Sequence, residues 1–133
     1  MDILNMIYEA LIADTYIAEQ TYDDSINDYR IKFYEYPETG DVLNPHIVID
    51  PIDTPTPSQY ADDQWTKLDF LLQIDVWSRN RELTDTLADK IRNVIWHTFG
   101  FNQRAGPKEY DQGVYRDARR YRGSLYRKDF NTI

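Results

Sequence analysis

Between Lys67 and Trp77 the hydrophobic positions alternate without a break, with Leu68, Phe70, Leu72, Ile74 and Val76 at every second place. Side chains of a strand point to opposite faces in turn, so this period predicts a β-strand over 67–77 with one buried and one wet face. The pattern then changes. Leu83, Leu87, Ile91, Val94 and Ile95 follow at steps of four, four, three and one, the spacing of a helix with one apolar stripe. A helix over 81–99 is expected, with Asn80 as its cap, Glu82 in its first turn and Gly100 as a left-handed terminator. Upstream, Asp2 caps a helix over 1–13 whose stripe is Ile3, Leu4, Ile7, Tyr8, Leu11 and Ile12, and Asp14 restarts a short helical turn through Gln20.

The remaining segments read as strands and connections. Asp23, Asp24, Ser25, Asn27 and Asp28 form a polar connection, after which Ile31 and Phe33 alternate with Lys32, Tyr34 and Tyr36. That alternation predicts a strand over 30–36, closed by the turn residues Pro37 to Gly40. Ile47, Val48 and Ile49 are apolar on both faces, which places a strand over 46–50 toward the middle of a sheet, paired antiparallel with 67–77. Pro51, Pro55 and Pro57 interrupt any regular ladder, so 51–66 is expected as a projecting loop. Its Tyr60 and Trp65 either tuck onto the core or anchor a partner. Val114, Tyr115, Ala118, Tyr121, Leu125 and Tyr126 lie among arginines and suggest a strand or hairpin over 112–126 at the sheet edge, where charge discourages unwanted pairing. The sum is an α+β domain over 1–133: an antiparallel sheet of about four strands, two main helices packed on it, and a long mobile loop between the two middle strands.

Composition narrows the picture. A chain of 133 residues, 41% hydrophobic, has the size of one domain, and it contains no run of about 18 apolar residues that would span a membrane. With no cysteine, disulfides and thiolate metal sites are excluded. The net charge of -8 is unevenly spread. Residues 1 to 66 carry fourteen Asp/Glu against Arg30 and Lys32, whereas residues 101 to 133 carry eight Lys/Arg against four Asp/Glu. An acidic front and a basic back suit a subunit that meets an identical neighbour head to tail. The candidate interface residues are Tyr60, Asp62, Asp63 and Trp65 in the loop and Arg116, Arg119, Arg120 and Tyr121 in the basic end.

Catalytic constellations are hard to assemble from this inventory. His46 and His97 stand far apart, one in an apolar strand and one late in a helix, and read as core-edge histidines rather than metal ligands. Glycines at 40, 100, 106, 113 and 123 make no phosphate-binding loop. Ser124 lacks the flanking glycines of a nucleophile elbow, and Ser78 reads as a cap or turn residue at a strand end. The pairs Asp23-Asp24 and Asp62-Asp63 solvate polar connections. The expectation is a binding protein, not an enzyme, without catalytic residue, cofactor or metal.

Several segments together resemble a known family. Tyr34-Glu35-Tyr36-Pro37, the buried run Pro45-His46-Ile47-Val48-Ile49, a polar loop, the strand ending Ile74-Asp75-Val76-Trp77-Ser78, and the helical Thr86-Leu87-Ala88-Asp89-Lys90-Ile91-Arg92 follow one another as in tail-completion proteins of tailed bacteriophages, also called head-tail joining or neck proteins. The likeness covers about residues 30 to 96, and the basic end from Tyr110 to Tyr126 has no counterpart in the pattern. What the resemblance implies is a homo-oligomeric ring, usually of six subunits, at the head-proximal end of the tail. Its partners would be the tail tube protein and the adaptor or stopper proteins of the neck, and DNA would pass through its channel without specific binding. The protein would be made in the bacterial host cytoplasm and reside in the virion, away from any membrane. In such proteins the loop corresponding to 51–66 is mobile until assembly orders it. A head-completion adaptor or stopper, or an unrelated small cytosolic α+β binding module, is the alternative expectation.

Overall fold

A computed structural model describes residues 2–35 and 44–126. Three helices, α1 (Ile3–Ala13), α2 (Thr15–Thr21) and α3 (Arg81–Phe99), accompany a two-stranded sheet of β1 (Tyr22–Asp23) and β2 (Asp28–Tyr29). The main sheet has seven strands: β3 (Ile31–Phe33), β4 (His46–Pro51), β5 (Thr56–Ala61), β6 (Gln64–Ser78), β7 (Asn102–Arg104), β8 (Lys108–Asp111) and β9 (Val114–Tyr126). Their order is β3-β4-β6-β9-β7, with β5 added beside β6 and β8 beside β9.

The helix ends are where the capping residues place them. Asp2 and Asp14 accept from the amides of Asn5 and Ile17, which starts α1 and α2. Asn80 Oδ1 accepts from the Leu83 amide at 3.0 Å, and Gly100 ends α3 at φ 73°. Ser78 is buried between these elements: its hydroxyl accepts from the Asn80 amide at 3.1 Å and lies 2.5 Å from Thr84 Oγ1. These hydrogen bonds across the strand-to-helix turn fix the angle at which α3 folds back over the sheet.

That angle brings Leu87, Ile91 and Ile95 onto Phe70, Leu72, Ile74 and Val76, all buried. Each such side chain contributes about 1.5–3 kcal/mol at most when taken from water. Ile3, Ile7 and Leu11 of α1 and Ile17 of α2 join the same core, while Leu4, Tyr8 and Ile12 pack half-buried at its border. Among the described residues no helix is long and apolar enough to cross a membrane.

The architecture departs from a four-stranded antiparallel sheet with two main helices. Seven strands form a mixed sheet, because β3 runs parallel to β4, with Ile31 opposite Ile47 and Phe33 opposite Ile49. The cause is Arg30. Its guanidinium, 9% exposed as a residue, donates to the carbonyls of Pro45, Tyr22 and Gln20, and its own carbonyl accepts from Ile47 N. One buried arginine therefore ties the end of α2 to the start of β4 and lays β3 alongside it. The polar stretch after Thr21 is itself a hairpin, β1 with β2, and the expected turn through Gln20 is the full helix α2. Tyr36, the Pro37–Gly40 turn and the chain beyond Tyr126 lie outside the described residues.

The long mobile loop is also overturned. Residues Thr56–Ala61 form β5, in register with β6 from Thr56 opposite Asp69 to Ala61 opposite Gln64, so only 52–55 connect the strands. Pro57 is tolerated because β5 is an edge strand, where outward-facing amides need no partner. At the other end, β9 is not an edge. It lies between β6 on one side and β7 and β8 on the other, continuous through Gly123. The pairing of β4 with β6 is antiparallel as expected, Ile47 facing Val76.

Gly123 is required by packing: a Cβ there would overlap the ring of Phe101, which stacks on Phe70 with centroids 5.8 Å apart. Gly123→Ala is expected to destabilise the fold by about 1–3 kcal/mol. Adding Phe101→Leu should recover part of that loss in a chemical-denaturation double-mutant cycle, and strict additivity would contradict the clash.

Candidate functional site

Two surfaces hold Tyr60, Asp62, Asp63, Trp65, Arg116 and Arg120 of the residues expected at an interface. The first is the arm formed by β5 and the start of β6. Asp62 and Asp63, at φ 52° and 61°, make the two-residue turn between Ala61 and Gln64. Both central positions of such a hairpin turn need positive φ to match the strand twist, and Asp tolerates that region. The last described rung between β6 and β9 is Lys67 opposite Tyr126, so among the described residues Gln64–Thr66 pair with β5 alone. Tyr60, 70% exposed, stands across from the half-buried Trp65. Among the described residues no side chain is bonded to Asp62 or Asp63.

The second surface is the sheet face opposite α3. Strand register sets its rows: His46–Trp77–Arg116–Glu109, then Val48–Asp75–Ala118, then Asp50–Gln73–Arg120–Arg104, then Leu71–Arg122–Asn102. The alternation predicted a wet face here, yet Asp75 is 0% exposed and Val48, Gln73 and Ala118 are buried. Long side chains make the cover. Arg116 donates Nε and Nη2 to Asp75 Oδ2 at 3.0 and 2.9 Å, lies over the Trp77 ring at 5.1 Å, and reaches Glu109 at 3.2 Å. Gln73 donates to Asp75 Oδ1 and accepts from Arg120 Nε. The result is a polar chain Glu109–Arg116–Asp75–Gln73–Arg120 across three strands.

Burial raises the Asp75 pKa above the ordinary carboxyl value and outweighs Arg116 and Gln73, which act to lower it. Asp69, near the base of the arm, shifts the other way, because the hydroxyls of Ser124 and Ser58 both donate to its Oδ1.

On the helix side, Arg119 bonds Asp117, and its Nη1 reaches Asp89 of α3 at 2.8 Å. Burial opposes its charge, but these two acids outweigh that and raise its pKa. Lys108 bridges to Asp85 at 2.7 Å. Tyr121 is 1% exposed in the core, where burial holds its phenol well above the ordinary value.

The sequence-predicted candidates therefore separate. Tyr60, Asp62, Asp63 and Trp65 come together on the arm, whereas Arg116, Arg119 and Tyr121 are engaged within the fold and only Arg120 of that group is exposed. His46 is buried with Nδ1 3.0 Å from Asn44 O, while His97 is exposed in the last turn of α3 rather than at a core edge. Asp75 and Gln73 were not legible in the sequence, since their arginine partners lie more than forty residues away. Among the described residues no group of three or more His, Asp or Glu is placed to hold a metal ion. A recess of about 380 Å³ lies at the arm's base between Asp53, Thr56, Asp69, Leu71 and Arg122. Neither a protein-family model nor a curated protein matches the sequence.

Removing one partner of a buried ion pair strands the other, so Arg116→Ala is expected to cost about 3–5 kcal/mol, and Asp75→Asn less, because the amide oxygen still accepts. Carbon-detected NMR should find Asp75 titrating above 3.8 and Asp69 below it. The folded Asp75 keeps its proton to higher pH than the unfolded chain. Its contribution is therefore complete below about 3.8 and declines as pH rises through the folded value. Asp69 is the reverse: its contribution is full above 3.8 and is lost as pH falls through the folded value. Identical titration midpoints would contradict this assignment.

Proposed function

We propose that this chain is a structural protein of a tailed-phage neck, a tail-completion or head-tail joining subunit that assembles as a ring at the head-proximal end of the tail and binds rather than catalyses. The observation that carries the reading is the arm: a hydrogen-bonded hairpin that runs past the last described rung of β9, tipped by two carboxylates and bearing the 70% exposed Tyr60. Exposed aromatic side chains on a preformed scaffold anchor interfaces at low entropic cost. Further support comes from the segment order between residues 30 and 96 and from the sheet margins, where β5 pairs only with β6, and β7 and β8 only with β9, among the described residues. The described buried charges are matched inside the fold instead of converging on a cleft, which favours a scaffold over an active site.

Sedimentation velocity over a concentration series should reveal a closed oligomer, six subunits by family likeness, and the purified chain should co-precipitate with the tail tube protein of the same phage. Capture of a head-side adaptor without the tube protein would move the chain to an adaptor or stopper position. A strictly monomeric protein that captures neither would refute the ring.

A further inference from the structure

On the face opposite α3, Arg104 and Arg120 stand directly across from one another on β7 and β9, and Arg122 follows two residues along β9. All three are exposed. Like charges paired directly across strands destabilise a sheet, so the fold bears a cost for holding them there. Acids border the patch without forming ion pairs with it among the described residues. Asp69 feels the charge of Arg122, but its Oδ1 accepts from the hydroxyls of Ser58 and Ser124, and Asp50 is separated from Arg120 by Gln73. Among the described residues only Gln73 is bonded to Arg120, through Nε, and no acid forms an ion pair with Arg104 or Arg122.

The opposite arrangement occurs on the arm. Asp62 and Asp63 are adjacent, exposed and held at positive φ in a tight turn, two carboxylates crowded at one tip. The patch flanks the β7 margin of the sheet, whereas the tip belongs to the hairpin on the β4 side of β6. Complementary features on opposite margins of one chain make a heterologous contact, in which each copy offers its tip to one neighbour and its patch to the other.

We infer that the Asp62–Asp63 tip of one copy seats on the Arg104–Arg120–Arg122 patch of the next. This rests on the ring reading and names the contact that closes it. A nucleic acid is the weaker occupant, since the chain carries a net charge of -8 and the patch is short and flanked by Asp50 and Asp69. Two carboxylates match three guanidiniums in extent, and the hairpin that carries them is already formed before contact.

The test uses two variants of the full chain. Asp62→Asn/Asp63→Asn keeps residue types that accept left-handed φ, and Arg104→Glu/Arg122→Glu alters only exposed side chains. Each is expected to weaken self-association by about tenfold or more at low salt, and wild-type association should fall steeply as salt rises. Mixing the two variants leaves one intact tip facing one intact patch. Sedimentation velocity should then detect one-to-one pairs that grow no further. Arg104→Glu alone should raise the melting temperature of the monomer, because it turns a like-charged cross-strand pair with Arg120 into an opposite one, while it lowers association. A purely structural role for the arginines would move both readouts in one direction.

Association insensitive to both variants, or failure of the mixture to pair, would overturn this contact and leave the ring intact. Binding of a fluorescent DNA duplex that is abolished by Arg104→Glu/Arg122→Glu, with association unaffected, would reassign the patch to nucleic acid. Wild-type protein that stays monomeric throughout would overturn the contact and the ring together.

Discussion

The antiparallel pairing of β6 with β9, unbroken from Lys67 opposite Tyr126 to Ser78 opposite Tyr115, is the constraint on which the rest of the structure depends. It places a thirteen-residue strand from the end of the chain beside a fifteen-residue strand from its middle. Once the two are locked in register, their side chains must serve two different surroundings. On one face Phe70, Leu72, Ile74 and Val76 meet α3 across an apolar core. On the other there is no helix among the described elements, and the same ladder is closed by Arg116, Asp75, Gln73 and Arg120. Apolar burial stabilises one side, and on the other a hydrogen-bonded polar chain satisfies the buried Asp75.

That division has a consequence for the surface. Arginines of β9 that look like a basic tail in one dimension have distinct fates in three. Arg116 and Arg119 are consumed by internal acids, whereas Arg120 and Arg122 face outward beside Arg104. Of the described β9 arginines, those left facing outward thus lie near the β7 margin. The acidic tip on the arm is confined, because a two-residue turn leaves no room for anything beyond Asp62 and Asp63. In the proposed head-to-tail contact these two places would meet.

Much of this was legible residue by residue. The helix ends announced themselves through Asp2, Asp14, Asn80 and Gly100, since caps act within four residues of where they stand. The central strand and the stripe of α3 were legible for a similar reason: their periodicity is a local property. The β5 strand was not, because three prolines in seven residues look like a loop unless it is known that the strand lies at an edge. The alternation of Ile31 and Phe33 did announce β3, but not its parallel course, which depends on the contacts of Arg30 with three distant carbonyls. The two-residue hairpins at Asp62-Asp63 and Gln112-Gly113 sat in plain view but lacked alternating apolar flanks to flag them.

By itself the sequence determined the helix over 81–99, the strand that precedes it, the antiparallel partnership of that strand with His46–Pro51, and the segregation of charge along the chain. Each follows from spacing, capping or composition within short windows. Which strand fills the centre of the sheet, which arginines are internal and which are offered outward, and that Asp75 is buried at all, were decided only when β9 returned to pair with β6. Register across forty or more residues is set by the energy of the whole assembled sheet, and no local pattern encodes it.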